Sequence, residues 1–181
     1  METYRIFQDY TVYFLTFSII QWLPVFISEE PCRIVCNSLN FCHREKHLRI
    51  NAFVIMPTHL HLIVFDAGFG TIRLQHTLTA LRKFTGQQLS RYCDQHLPSA
   101  FGQTMRSRGR ADRERQFWQQ SKHPEAIHSQ SFWRSKFDYL HDNPRRKGLV
   151  TDPTHWRFSS AAYWLIDGSG QSEVTLTAIE W

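Results

Sequence analysis

The chain has 181 residues, 42% of them hydrophobic and 14% aromatic, which is enough for a folded core and too apolar for a disordered segment. Its formal charge of +5 points to a polyanionic partner, and that charge is concentrated. Residues 101–150 carry eleven Lys or Arg against five Asp or Glu, a local excess above that of the whole chain.

Residues 10–27 form an uncharged apolar run near the minimum length of a membrane span. Thr11, Thr16, Ser18, Gln21 and Pro24 interrupt it, and its first half is rich in aromatic and β-branched residues. It reads as a core strand over about Tyr10 to Ser18 with a connector broken at Pro24, and no membrane partner is expected. A first helix is expected from Glu29 to about His47. Cys32 and Cys36 share one face of it, and with Cys42 and His43 they lack the paired short loops of common zinc modules. Four cysteines without a secretory signal suggest a reduced, cytoplasmic setting.

Residues Asn51 to Asp66 read NAFVIMPTHLHLIVFD, two apolar runs around a Met-Pro-Thr break, the pattern of a tight antiparallel hairpin. Side chains alternate along a strand, so His59 and His61 project to one side while Leu60 and Leu62 point to the other. Two imidazoles at a strand start are half of a metal site; a polar sheet edge is the plainer reading of the same pair.

Thr71 opens a long second helix, with Leu74, Leu78 and Leu81 in one stripe that Phe84 extends, and with Arg82 and Lys83 largely off it. The order strand, helix, strand, strand, helix needs one more strand to complete an α+β, ferredoxin-like βαββαβ antiparallel sheet with helices on one face. Residues 115–119 are the best candidate for that strand. Before them lies an Arg-rich loop at about residues 98–115, where Arg106, Arg108, Arg110 and Arg113 could close on phosphates. Trp118 is either core or a stacking platform for a base. The reading gives one domain over residues 1–166 and a C-terminal tail over residues 167–181.

The stretch SFWRSKFDYLHDNPRRKG, residues 131–148, reads as an additional helix whose core stripe is Trp133, Phe137 and Leu140. Pro144 is expected to end it near Asn143, before the cations Arg145, Arg146 and Lys147. Tyr139 lies more than about 100° from the centre of that stripe, and Asn143, one turn on, shares its side. Core packing therefore does not explain Tyr139. A helix that delivers a phenol, an amide oxygen one turn later and cations beyond suits a nucleophile for a phosphodiester. A phenol is a weak nucleophile at neutral pH, and a cation held by two His and one carbonyl oxygen would make its attack feasible by polarising the phosphate. Imidazole ligands do not by themselves favour magnesium.

The segments MPTHLHLIV, FDYLHDNPRRKGLV and HWRFSSAAYW, in that order, resemble the REP-associated tyrosine transposases, a branch of the single-tyrosine HUH transposases, over about Tyr10 to Trp164. The resemblance implies a ferredoxin-like enzyme that cuts and rejoins single-stranded DNA near hairpin or palindromic repeats through a 5′-phosphotyrosine. The nucleophile would be Tyr139, and the metal ligands His59, His61 and Asn143 around magnesium (Mg2+) or manganese (Mn2+). DNA would be gripped by Arg82, Lys83, Arg106, Arg108, Arg110, Arg113, Trp118, Arg145, Arg146 and Lys147. The resemblance further implies a bacterial, cytoplasmic, nucleoid-associated protein that acts as a monomer or homodimer. Where family members commonly carry Asn or Glu before the first His, this chain has Thr58, and His141 and Asp142 replace residues that are often Asn-like. Two other readings remain: a non-catalytic nucleic-acid-binding module on the same sheet, and a zinc hydrolase built on His59 and His61, for which no second ligand motif is evident.

Overall fold

The computed structural model describes residues 10–107, 115–120, 124–166 and 170–180. Four strands form one antiparallel sheet in the order β2-β3-β1-β4, with β1 Val12–Ser18, β2 Leu48–Met56, β3 His59–Asp66 and β4 Glu125–Ala126. This is the expected α+β, ferredoxin-like arrangement. Helices α1 (Glu29–Glu45) and α2 (Thr71–His96) cover one face. A further helix, α4 (Gln130–Arg146), crosses the other. Two short helices, α3 (Ser99–Ser107) and α5 (Ala161–Leu165), and two single-turn 3₁₀ segments, Ile20–Trp22 and Pro153–His155, complete the described elements.

Strand alternation divides the core in two. Tyr13, Leu15, Phe17, Phe53, Ile55, Leu60, Leu62 and Val64 point toward α1 and α2, where they meet Val35, Leu39, Leu74 and Leu78. Phe14, Ala52, Val54, Met56 and Ile63 point toward Phe137 and Leu140 of α4. The β2–β3 turn is held at Pro57 and Thr58 without positive φ at either residue, and Met56 pairs with His59 across it. A register shift at Asn51 bends β2. The side chain of Asn51 accepts from Trp133 Nε1 at 2.8 Å and donates to the Thr177 carbonyl at 3.0 Å, so the irregular residue ties α4 and the tail to the sheet.

Several expectations need correction. Phe84 is exposed, because ten residues beyond Leu74 the helix has turned it out of the stripe, whose place there is taken by buried Thr85. The fourth edge is built from two pieces. Trp118 bridges Ile19 at the end of β1, and regular pairing is made by Glu125–Ala126 with Phe14 and Tyr13, rather than by a strand over residues 115–119. Helix α4 also runs through Pro144. A proline near a helix end forfeits only one bond, to the carbonyl one turn back, and the chain continues to Gly148, whose φ of +70° turns it out of the helix.

The tail residues 170–180 belong to the packed structure: Val174 is buried against the α1 side, and Thr177 N donates to Ile50 O at 2.8 Å. The segment HWRFSSAAYW covers the outer edge of β2 as well. Ile55 N donates to Phe158 O at 2.8 Å and Ser160 N to Phe53 O at 2.9 Å, while Trp156 Nε1 and Trp164 Nε1 each reach a β2 carbonyl at 2.8 Å. No described helix is long and apolar enough to cross a membrane.

Candidate active site

The start of β3 sets His59 and His61 on the α4 face, their ring centroids 4.7 Å apart. His61 is nearly sealed from solvent. Its Nδ1 lies 2.8 Å from Thr16 Oγ1, its cross-strand partner, and its Nε2 has no hydrogen-bond partner. With Nδ1 carrying the proton toward Thr16, Nε2 presents a bare lone pair. His59 Nδ1 is likewise 3.0 Å from Thr58 Oγ1, so that threonine steadies the first imidazole.

Burial pushes the His61 pKa down to about 3, and the neighbouring His59 adds to the effect; burial and the Lys147 cation push His59 down to about 4. Both rings are therefore neutral at neutral pH, the form in which imidazole binds metals.

Helix α4 brings Tyr139 over this pair. The Tyr139 ring sits 5.6 Å from His61 and 6.2 Å from Phe14, edge-on to both, and 41% of the residue is exposed. Arg146 stacks its guanidinium 5.4 Å from the same ring. One turn after Tyr139, Asn143 is buried with its Nδ2 unpartnered. A side-chain amide can be turned over, which would place the carbonyl oxygen at that position. A buried polar atom without a partner costs about 1–3 kcal/mol, and His61 and Asn143 each carry one. Nitrogen and amide-oxygen donors left open in this way fit a divalent cation. Among the described residues there is no group of three or more His, Cys, Asp or Glu suited to a metal.

The remaining candidates divide. Arg145, Arg146 and Lys147 follow on the exposed end of α4; Arg145 pairs with Asp142 at 2.6 Å, and Lys147 is close enough to His59 for its charge to be felt there. Arg82 and Lys83 belong to α2 on the opposite face. Arg82 packs over Phe17 and donates to the Gln119 carbonyl at 2.5 Å, a contact that joins α2 to the sheet edge. Arg106, on α3, pairs with Asp94, which also holds Arg115. Arg108, Arg110 and Arg113 lie outside the described residues.

Trp118 is not a stacking platform. It is buried among Phe17, Phe26 and Phe117, and its Nε1 donates to Thr85 Oγ1 at 3.1 Å, so no base can reach its face. His141 faces away from the His pair: it packs on Phe137 and its Nε2 is 2.7 Å from Ser160 Oγ. Cys32, Cys36 and Cys42 lie in the core stripe of α1, where burial pushes their thiols up to about 12, 12 and 11.

The structure adds neighbours that sequence reasoning missed. Thr16 joins the site through the β1–β3 register, which no local pattern encodes. Lys136 lies 4.9 Å over the Phe14 ring and pairs with Glu125 at 2.6 Å; its position one helical turn before Leu140 was the only signal.

No family model and no curated protein matches the sequence. Among solved structures, one described as a REP-associated tyrosine transposase bound to a REP hairpin matches 100% of this chain and 95% of its own, with a TM-score of 0.62 and 17% sequence identity. That likeness shows the fold.

Proposed function

We propose that the protein is a REP-associated tyrosine transposase, a single-strand DNA endonuclease that cuts and rejoins DNA near hairpin repeats through a 5′-phosphotyrosine at Tyr139. The observation that carries this reading is the exposed phenol of Tyr139 beside a buried His61 whose Nε2 has no protein partner. The shared fold of a transposase solved with a REP hairpin adds support.

His59, His61 and Asn143 would hold magnesium or manganese, which when bound polarises the scissile phosphate and stabilises its developing charge. Thr58 and Thr16 orient the two imidazoles. The Tyr139 hydroxyl attacks phosphorus and releases its proton to solvent. The bond to the 3′ oxygen breaks, that oxygen takes up a proton, and the 5′-phosphate stays on the tyrosine. The bond energy is kept in the phosphotyrosine, so a 3′-hydroxyl can reverse the step without an external energy source. Arg145, Arg146 and Lys147 would neutralise the strand near the break. The same reading places the protein on the nucleoid in a bacterial cytoplasm, as a monomer or homodimer.

The test is incubation of the purified protein with labelled single-stranded hairpin DNA and manganese, followed by mass mapping of adducts. Wild type is expected to carry DNA on the peptide containing Tyr139. Tyr139→Phe should bind equally and lose cleavage by at least about a thousand-fold. Cleavage by that variant would reject Tyr139 as nucleophile, and binding without any adduct in wild type would favour a non-catalytic binding module.

A further inference from the structure

Between β1 and α1 the chain makes a tight turn in which two successive non-glycine residues, Gln21 and Trp22, adopt φ of 53° and 55°. A bulky aromatic rarely occupies this region, and it persists only where surrounding bonds hold it. Those bonds are present. Trp22 N donates to Ile19 O at 3.0 Å, Ile20 N to Phe117 O at 2.7 Å, and Ile19 N to Thr58 O at 2.9 Å, so the turn is pinned to the hairpin that carries the His pair.

The held residue is not buried. Trp22 is 56% exposed, and its ring stands edge-on to His59 at 6.1 Å. Phe69 has a similar φ and exposure, but it rests on Phe65 at the far end of β3. Strain alone therefore does not single out Trp22, and its place beside His59 does. Tyr139, His61, His59 and Trp22 form a row of rings at successive centroid separations of 5.6, 4.7 and 6.1 Å, the nucleophile at one end and the open indole at the other.

The other flank of Tyr139 opens on a groove of about 550 Å³ lined by Asp138, Asp142 and Arg146 among others. Along the ring row Lys147 lies near His59, where its charge can meet a phosphate of a strand that passes over Trp22.

Resting on the single-strand DNA reading above, we infer that Trp22 is a stacking platform that holds one unpaired base of the substrate strand close to the scissile phosphate. An indole face accepts any base, so the platform would fix the position of the strand rather than its sequence. The hydrogen-bonded turn keeps the ring in place before the strand arrives.

The test uses the full chain, a fluorescein-labelled DNA hairpin with single-stranded thymidine arms, and binding by anisotropy in EDTA, which separates binding from cutting. Trp22→Ala and Trp22→Gly should each bind about ten-fold more weakly, the equivalent of one stacked base, and Trp22→Phe should stay within about three-fold of wild type. The glycine variant relieves the φ constraint, so equal losses in Ala and Gly assign the effect to the ring. Replacing the arm bases one at a time by abasic sites should reveal a position that weakens wild type about ten-fold and leaves Trp22→Ala unchanged. The manganese-induced rise in Tm should be the same in Trp22→Ala and wild type.

Unchanged binding by Trp22→Ala, a flat abasic scan in wild type, or loss of the manganese response in Trp22→Ala would each overturn the platform while leaving the transposase reading in place. Failure of wild type to bind the hairpin at all would overturn both. Failure of adduct formation at Tyr139 with binding intact would overturn the nuclease chemistry alone.

Discussion

The two faces of the sheet differ in how they treat polar groups. On the α1 and α2 side, Leu60, Leu62, Phe17 and their neighbours close a dry core whose buried hydroxyls find partners, as Thr85 does with the Leu81 carbonyl and with Trp118. On the α4 side, His61, Asn143 and His141 each keep a buried nitrogen without a partner, and these are all such atoms among the described residues. One face maximises stability; the other leaves lone pairs and donors open at a loss of stability. Of these, His61 lies beside Tyr139, whereas His141 turns toward Ser160, so only part of the set faces the candidate site.

The comparison is sharpest at two adjacent residues, His59 and Leu60, which one strand points to opposite faces. Leu60→Ala should lower unfolding free energy by about 2–5 kcal/mol and leave the manganese-induced Tm rise in place. His59→Ala should change the metal-free stability little and abolish that rise, which for a ligand at a hundred times its Kd is worth about 2.7 kcal/mol. Thermal melts with and without manganese read both, and a metal response that survives His59→Ala would break the assignment of this face.

The second prediction concerns pH. His59, His61 and His141 are held in the fold at pKa values of about 4, 3 and 4, chiefly by burial, against an ordinary 6.5. Below pH 6.5 the unfolded chain therefore takes up protons that the folded chain refuses, so stability falls as pH falls toward 4. Above 6.5 these groups contribute no slope. Each fully buried histidine contributes at most about 1.4 kcal/mol per pH unit within that window. Urea midpoints should drop between pH 7 and pH 5, and His141→Gln should reduce the drop by about one proton's worth. Midpoints independent of pH across this range would show that these rings are not buried as neutral bases.

The smallest effect should come from charge placement. Lys83→Ala, on the α2 side, should leave hairpin affinity within about two-fold and the salt dependence unchanged. Arg146→Ala, beside Tyr139, should weaken binding and reduce the slope against salt by about one ion. Equal effects of the two would mean that DNA contacts both faces.

By itself the sequence determined the features that repeat locally. Alternation along β3 put His59 and His61 on one side, the spacing of Leu74, Leu78 and Leu81 set the buried stripe of α2, and the helical wheel separated exposed Tyr139 from buried Phe137 and Leu140. Backbone periodicity sets these relations within one element, and the fold preserved them. What depends on contacts between distant segments was decided only in the tertiary structure. The β1–β3 register brought Thr16 to His61, and the choice of face brought Tyr139 to the same ring. Burial by Phe17 and Phe26 took Trp118 out of reach, while Trp22 was left open beside His59. The tail likewise found the edge of β2 more than a hundred residues away. These pairings follow from which surfaces bury best together, and no short stretch of sequence carries that information.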